Sequence, residues 1–293
     1  MTKYFKNYSW GRNMDFKTQL KTLNNNIDQT LDIELLDELI DKMIANIGII
    51  DPELRDELIY SIFEKWIRND YLTKSQLQYL MKTCLSDNYL FYKIGEKNTD
   101  SVFTRSFSAL VITEILSKDG EFCFLDKYLV LEGIEKSLKY LQKENDTRGY
   151  VDGKGWAHGI AHGADLLTAA IKHPKFSLEY VNECLCTIKL CLFKDAQYID
   201  NEDGRMIFIL EALHDNKNIG ECTFKNWIIS LLTELKDMYK SEGHSLFFFR
   251  RRTNIINFLK TLYFRIPSTV QVNKSKQIIE DEIKMWHKMI YEN

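Results

Sequence analysis

Hydrophobic residues recur along this chain at spacings of three and four, which is the pattern of amphipathic helices. The first such stretch covers 31–50, and Asp51-Pro52-Glu53 then supplies a cap, a proline at the first helical position and an acid in the first turn, which predicts a second helix to about Asn69. The same pattern predicts nine further helices, at 74–86, 100–118, 125–142, 156–173, 178–193, 202–214, 224–240, 245–264 and 274–291. No stretch of useful length alternates as a strand does.

The short links between consecutive predicted helices indicate antiparallel helix pairs of about 40 residues each. The predicted fold class is therefore all-α, with stacked antiparallel helix pairs in a HEAT- or armadillo-like α-α superhelix. A globular helical bundle and a closed helical toroid fit the same periodicity, and both stay open. No linker rich in Gly, Ser or Pro divides the chain, so residues 1–293 are predicted to form a single helical domain.

Composition excludes several classes of protein. The chain is 45% hydrophobic, too apolar for a disordered protein, and its 3 prolines and 13 glycines in 293 residues are too few for the turns of an all-β fold. A formal net charge of -3 disfavours nucleic acid as a partner.

The sequence also bears on the compartment of the protein. Met1–Asn26 lacks a secretory signal, and no apolar run is long enough for a membrane span. The six cysteines lack the spacing of a metal site, and we interpret them as reduced thiols. We therefore expect a cytoplasmic protein.

One segment, 144–167, departs from the plain helical pattern and holds five of the glycines. If a helix begins at Trp156, its 100° rotation per residue places His158, His162 and Asp165 in one narrow stripe opposite an apolar face. The segment is therefore the candidate functional site of the chain.

Three interpretations of this stripe are open. Two imidazoles four positions apart can share a divalent cation, with Asp165 as a third ligand. One imidazole can instead act as a general base oriented by Asp165, close to Lys154 and Arg148. The stripe can also be the polar side of a packed helix, with glycines that let a neighbouring helix approach closely, at Gly155, Gly159 and Gly163.

The loop 148–155 concentrates donors and flexible backbone just before a helix N-terminus, which is a natural site for an anion. We therefore expect a ligand-binding groove, and its candidate lining residues are Arg105, Arg148, Lys154, Trp156, His158 and His162. For Arg105 the alternative is a structural salt bridge to an acid such as Asp100 or one on an adjacent helix.

Two other polar groups have plainer interpretations. The residues Asn201–Arg205 begin a predicted helix, where acids are stabilised by the helix dipole, so we interpret them as a cap. The run Arg250–Arg252 follows three phenylalanines and suggests a nucleic-acid or membrane surface. The buried face predicted for the same helix favours a solvated basic side instead.

Several blocks of residues carry a resemblance to a known family. They are Gly48-x-x-Asp51-Pro52-Glu53-Leu54-Arg55-Asp56, Phe103-Thr104-Arg105-Ser106-Phe107, and Arg148-Gly149-Tyr150 through Gly153-Lys154-Gly155-Trp156-Ala157-His158 to Ala161-His162-Gly163-Ala164-Asp165. From about residue 30 to 265 the chain resembles the bacterial family called domain of unknown function 2785. The resemblance implies an all-α, solenoid-like domain and transfers no activity.

The function predicted from the sequence is a binding scaffold for a protein, a peptide or a small anionic ligand, through a groove lined by the segment Arg148–Asp165. The alternative is a metal-dependent or histidine-based hydrolase whose candidate catalytic and metal-ligating residues are His158, His162 and Asp165. No cofactor is identified beyond the divalent metal of that alternative.

Overall fold

The computed structural model describes residues 15–27, 32–215, 219–266 and 273–292. This part of the chain is all-helical, as predicted, and no helix in it is both long and apolar enough to cross a membrane. Its twelve α-helices are α1 (Phe16–Asn25), α2 (Ile33–Ala45), α3 (Ser61–Arg68), α4 (Lys74–Cys84), α5 (Ser101–Phe122), α6 (Lys127–Lys143), α7 (Gly159–Lys172), α8 (Val181–Leu192), α9 (Glu202–Asp215), α10 (Glu221–Glu242), α11 (Leu246–Arg265) and α12 (Asn273–Tyr291).

Most helices lie where the periodicity predicts them, with small shifts at their ends. A π-helical segment, Glu53–Tyr60, leads directly into α3, and a 3-10 turn, Leu178–Tyr180, leads into α8. The predicted start of the first helix, Leu31, lies outside the described residues. Helix α1 was not predicted, because its ten residues are too short to establish a period.

Local hydrogen bonds explain where several helices begin. Thr73 and Gln76 form a capping box at the start of α4, in which each side chain meets the other residue's backbone. Ser245 accepts a hydrogen bond from the backbone of Phe248 at the start of α11. These side chains satisfy N–H groups that the first turn of a helix leaves without partners.

The helices form two rows. Five helices, here called the central row, contact one another in series, and they are α3, α5, α7, α9 and α11. The π-helical segment before α3 also contacts α5. Four further helices, here called the second row, each pack against the central-row helix that follows in sequence, and they are α4, α6, α8 and α10. Helix α12 contacts α10 and α11 at one end.

Two hydrophobic clusters form the core and meet at α6 and α7. One cluster is built from the N-terminal helices up to α5 and includes Leu166 of α7, which is fully buried. The other is built from α8 to α12 and includes the neighbouring Leu167, also fully buried. Because α7 sends side chains into both clusters, it lies at the centre of the hydrophobic core.

A short hairpin precedes α7, so the predicted helical start at Trp156 is wrong by three residues. Strands β1 (Tyr150–Val151) and β2 (Gly155–Trp156) pair antiparallel. Gly155 has φ +78, and an added Cβ would lie 2.8 Å from the Cβ of Pro52. Glycine permits both this backbone conformation and this close approach, and α7 begins only after the chain has turned at His158.

Candidate functional site

The segment that leads to α7 is anchored by a buried ion pair. The guanidinium of Arg105 donates from Nε and Nη2 to the two carboxylate oxygens of Glu144, at 2.7 and 2.9 Å, and both side chains are 0% exposed. Its Nη1 donates to the hydroxyl of Ser101 and to backbone carbonyls of the preceding loop. Arg105 therefore forms a salt bridge to an acid at the end of an adjacent helix, which is the alternative that the sequence analysis kept for it. A ligand could reach Arg105 only by displacing Glu144.

The other two predicted cations also have carboxylate partners. Arg148 donates to both oxygens of Asp146, at 2.9 and 2.7 Å, and its side chain is 25% exposed. Lys154 lies 2.7 Å from the carboxylate of Asp100 and is 36% exposed. Each positive charge of the hairpin is thus compensated, which reduces the attraction of the hairpin for an anion.

Two residues outside the predicted site hold the hairpin from beneath. Arg55 is fully buried, donates to the carbonyl of Lys154 at 2.7 Å, and lies over the rings of two phenylalanines. Its neighbour Asp56 accepts a backbone hydrogen bond from Trp156, and burial raises the pKa of Asp56 to about 6. The sequence signals these residues only through the resemblance, since a local pattern cannot show contact with a segment about 100 residues away.

The two histidines lie together at the start of α7, as predicted. His158 occupies the left-handed region of the backbone, φ 46 and ψ 37, immediately before the helix. The ring of Trp156, itself 42% exposed, stacks on the ring of His158 with centroids 4.5 Å apart. The His162 ring meets that of His158 edge to face, with centroids 5.5 Å apart, and contacts Phe107 on its other side.

Both imidazoles are held in the neutral form. Burial lowers the pKa of His158 and lowers that of His162 well below its ordinary value. A hydrogen bond to the backbone of Asp200 acts in the opposite direction on His158, and one to the backbone of Ser106 does so on His162. Neutral rings each present one lone-pair nitrogen.

Glu202, the first residue of α9, completes this group. Its Oε1 lies 3.9 Å from Nε2 of His158, while its Oε2 accepts from the backbone of Asp200 at 3.1 Å. Burial raises the pKa of Glu202 to about 7. The sequence predicted a helix cap here. The contact between Glu202 and His158 joins residues 44 positions apart, and no local sequence pattern predicts it.

Asp165 does not join the two imidazoles. Its carboxylate accepts two hydrogen bonds from Arg205 of α9, one from Nε at 3.0 Å and one from Nη2. Burial raises the pKa of Asp165, and Arg205 opposes that shift. Across the described residues, no group of three or more His, Cys, Asp or Glu side chains is arranged to hold a metal ion. The predicted set of His158, His162 and Asp165 is therefore not assembled, and the hydrolase alternative gains no support.

The pair of Asp165 and Arg205 lines a cavity of about 510 Å³ between α3, α5, α7 and α9. On the other side of this cavity, Arg68 donates to both oxygens of Glu114, at 2.7 and 2.9 Å. Leu110 and Ala169 supply apolar surface between the two pairs. The cavity thus combines a small apolar area with arginine–carboxylate pairs that each make two parallel hydrogen bonds.

The same kind of pair recurs on the next helices of the central row. Arg265 of α11 donates to both oxygens of Glu211, at 2.6 and 2.8 Å. The guanidiniums of Arg205 and Arg265 both lie over the ring of Phe208, at 6.0 and 5.1 Å from its centroid. We call these residues, Asp165, Arg205, Phe208, Glu211 and Arg265, the fork surface.

The basic run Arg250–Arg252 has structural contacts of its own. Arg251 donates from Nε to the carbonyl of Phe193 at 2.8 Å, and Arg252 lies over the ring of Phe249. The three arginines are half-buried, and the side chain of Arg251 is 20% exposed, so this side of the helix is less solvated than the sequence predicted.

Comparison with known protein families gives a match over most of the C-terminal two thirds of the chain. The model of a family described as protein of unknown function (DUF2785) matches residues 90–264. This range contains the hairpin, α7, Glu202 and nearly all of the fork surface, and it begins after α4. No curated protein and no solved structure matches the chain.

Proposed function

The chain belongs to the DUF2785 family, proteins of unknown function, and we propose that it is a helical scaffold that binds an extended peptide segment of a protein partner along the central row. In this proposal the stacked helix pairs form a HEAT- or armadillo-like superhelix, and the central row lines the face that meets the peptide. Support comes from the order of contacts, in which each helix of the central row contacts the next helix of that row.

The fork surface is the observation that carries this proposal. A guanidinium has five N–H donors, and each fork uses two of them, from Nε and Nη2. Among the described residues, Nη1 of Arg205 and Nη1 of Arg265 have no partner, and both side chains are almost half exposed. These free donors near the ring of Phe208 suit the carbonyl oxygens of a peptide lying beside an aromatic ring.

Charge decides between a peptide and a small anion. The predicted cations Arg105, Arg148 and Lys154 are all paired with carboxylates, and so are the arginines of the fork surface. An anion would have to compete with a carboxylate already in place, whereas a neutral carbonyl can accept from the remaining N–H groups without breaking a fork. A peptide therefore fits better than an anionic small molecule.

We infer further that the protein works in the cytoplasm. Its six cysteines are free thiols, and three of them, Cys123, Cys186 and Cys222, are exposed. Exposed free thiols are typical of a reducing compartment.

A peptide array tests the proposed function. The full-length protein is applied to an array of random twelve-residue peptides, beside Phe208→Ala and the control Tyr128→Ala, which removes an aromatic ring that is 81% exposed on the second row. We expect wild type and Tyr128→Ala to bind the same peptides, and Phe208→Ala to bind them about tenfold more weakly, because an interface aromatic contributes about 1–2 kcal/mol or more. Absence of binding, or equal binding by all three proteins, contradicts the proposal.

A further inference from the structure

Three buried polar atoms beside the fork surface have no hydrogen-bond partner among the residues that the structure describes. They are Nε2 of His158, Nδ1 of His162 and Oε1 of Glu202, here called the acceptor cluster. His162 is 7% exposed and Glu202 1%, so water does not satisfy these atoms at the surface. Buried polar atoms without partners are rare and costly, and a group of them on facing helices indicates a ligand with complementary donors.

We assign the tautomers of the two rings from their backbone contacts. The backbone of Asp200 raises the pKa of His158, as an acceptor for the ring proton does, so we place that proton on Nδ1, which leaves the lone pair on Nε2. The backbone of Ser106 acts in the same way on His162, so we place that proton on Nε2, which leaves the lone pair on Nδ1. The cluster thus presents two nitrogen lone pairs and one carboxyl oxygen, and its complement is a group with several N–H donors.

The spacing of these atoms suits hydrogen bonds better than metal coordination. A tetrahedral metal with ligands at about 2.0–2.1 Å holds its donor atoms roughly 3.3–3.4 Å apart. Nε2 of His158 and Oε1 of Glu202 are 3.9 Å apart. A nitrogen that donates to both at about 2.8–3.0 Å fits this separation without strain.

The carboxyls beside the cluster favour a cation. Burial raises the pKa of Glu202 to about 7 and raises the pKa of Asp203, so a cation placed next to them would stabilise their ionised forms. The guanidinium of Arg205 is already engaged by Asp165.

We propose that the acceptor cluster binds a primary ammonium group, either the N-terminal amine or a lysine side chain of the bound peptide. This inference rests on the proposed function and names the ligand group that is recognised. His158 lies about two helical turns before Asp165, and Glu202 lies about one turn before Arg205. Since Asp165 and Arg205 form the fork that lines the cavity, one peptide can reach both the cluster and the cavity. Entry is beside His158, whose side chain is 18% exposed, with Trp156 as an aromatic wall for the cation.

Three peptide arrays of matched length test this inference on the full-length protein. The first has free amino termini and no lysine, the second has acetylated termini with lysine, and the third has acetylated termini without lysine. We expect wild type to bind the first or the second about tenfold more tightly than the third, which also identifies the source of the ammonium group. The variant Glu202→Gln should lose this preference, while the control Glu179→Gln, at an exposed position in the 3-10 turn before α8, should keep it.

Failure of the inference and failure of the proposed function give different results. Equal binding of the three arrays by wild type, or an unchanged preference in Glu202→Gln, overturns the ammonium site and leaves peptide binding intact. If no array is bound, peptide binding fails, and a titration with methylammonium decides the site alone. Side-chain ¹⁵N signals of His158 and His162 should then shift with methylammonium and stay unchanged with tetramethylammonium, which has no N–H donors. No shift with methylammonium overturns the inference.

Discussion

The ion pair between Arg105 and Glu144 is the most deeply buried charge pair next to the site, with both side chains 0% exposed. Removing one partner leaves the other charge buried without compensation, which costs about 3–5 kcal/mol. We expect Arg105→Met to lower the free energy of unfolding by that amount, measured by urea denaturation. The double variant Arg105→Met with Glu144→Gln should lose less than the sum of the single variants.

An exposed pair provides the comparison for that experiment. Lys42 and Glu38 lie four positions apart on α2, with side chains 49% and 59% exposed. Lys42→Met should change the free energy of unfolding by less than about 1 kcal/mol, because solvent screens the pair. If Arg105→Met has an equally small effect, the ion pair does not anchor the segment before α7.

The raised pKa of Glu202 predicts that the stability of the protein depends on pH. Its pKa is raised from 4.5 to about 7 in the folded protein, so between pH 4.5 and 7 the unfolded chain ionises while the folded one keeps the proton. Stability contributed by the protonated group is therefore lost as pH rises through this window. We expect Glu202→Gln to match wild type at pH 5 and to be more stable by about 1–3 kcal/mol at pH 8, in urea titrations at both pH values.

The matched control for Glu202 is an exposed glutamate. Glu121 lies at the end of α5 on the surface, and Glu121→Gln should change stability equally at pH 5 and pH 8. A difference between wild type and Glu202→Gln that is the same at both pH values would show that Glu202 ionises normally in the folded protein.

At the scale of single residues, the sequence predicts proximity within a helix but not across helices. His158 and His162 come together because they are close in sequence, with His158 at the N-cap of α7 and its carbonyl accepting from the backbone of His162 in the first turn. The partners of Asp165 and His158 are Arg205 and Glu202, which lie 40 and 44 positions away. Such contacts depend on how α7 and α9 pack, and one sequence holds no signal for that.

The packing of α6 against α7 depends on a glycine. A Cβ added at Gly163 would lie 2.8 Å from Cδ1 of Leu141 and from Cε1 of Tyr140, both well buried. We expect Gly163→Ala to reduce the free energy of unfolding by about 1–2 kcal/mol, since the overlap outweighs the roughly 1 kcal/mol gain in helix propensity. Urea denaturation measures the change.

Gly133, in the middle of α6, is the matched control. There an added Cβ meets chiefly the terminal methyl of Met81, at 2.6 Å, which is the end of a flexible side chain and can move. Gly133→Ala should therefore be near neutral. Equal losses at both positions would mean that Gly163 does not set the distance between α6 and α7.

At the scale of elements, helical periodicity predicted the helices from α2 to α12 but missed α1, which is only ten residues long. It failed where tertiary contacts shape a short segment. The hairpin before α7 has strands of two residues each, and it exists because Gly155, Asp56 and Lys154 hold the backbone in place. Strands of that length carry no alternation for a sequence to show.

At the scale of the whole molecule, α6 and α7 connect two halves of the core. Residues 90–264, which match the family model, contain both helices but omit α1 to α4 and α12. The N-terminal cluster nevertheless depends on those omitted helices, since side chains of α2, α3 and α4 pack into it. The matched range alone would expose one side of α5, so we expect the helices outside it to belong to the same folding unit.

The sharing of α7 between the two clusters predicts that the chain unfolds as one cooperative unit, which is also the single domain predicted from the sequence. Leu166 faces the N-terminal cluster and Leu167 the C-terminal one, and both are 0% exposed. Each Leu→Ala change creates a cavity that costs about 2–5 kcal/mol. In scanning calorimetry we expect one transition for wild type, and a single transition at lower temperature for either variant. Two separate transitions, with Leu166→Ala lowering one and Leu167→Ala the other, would instead show two domains that meet at α7.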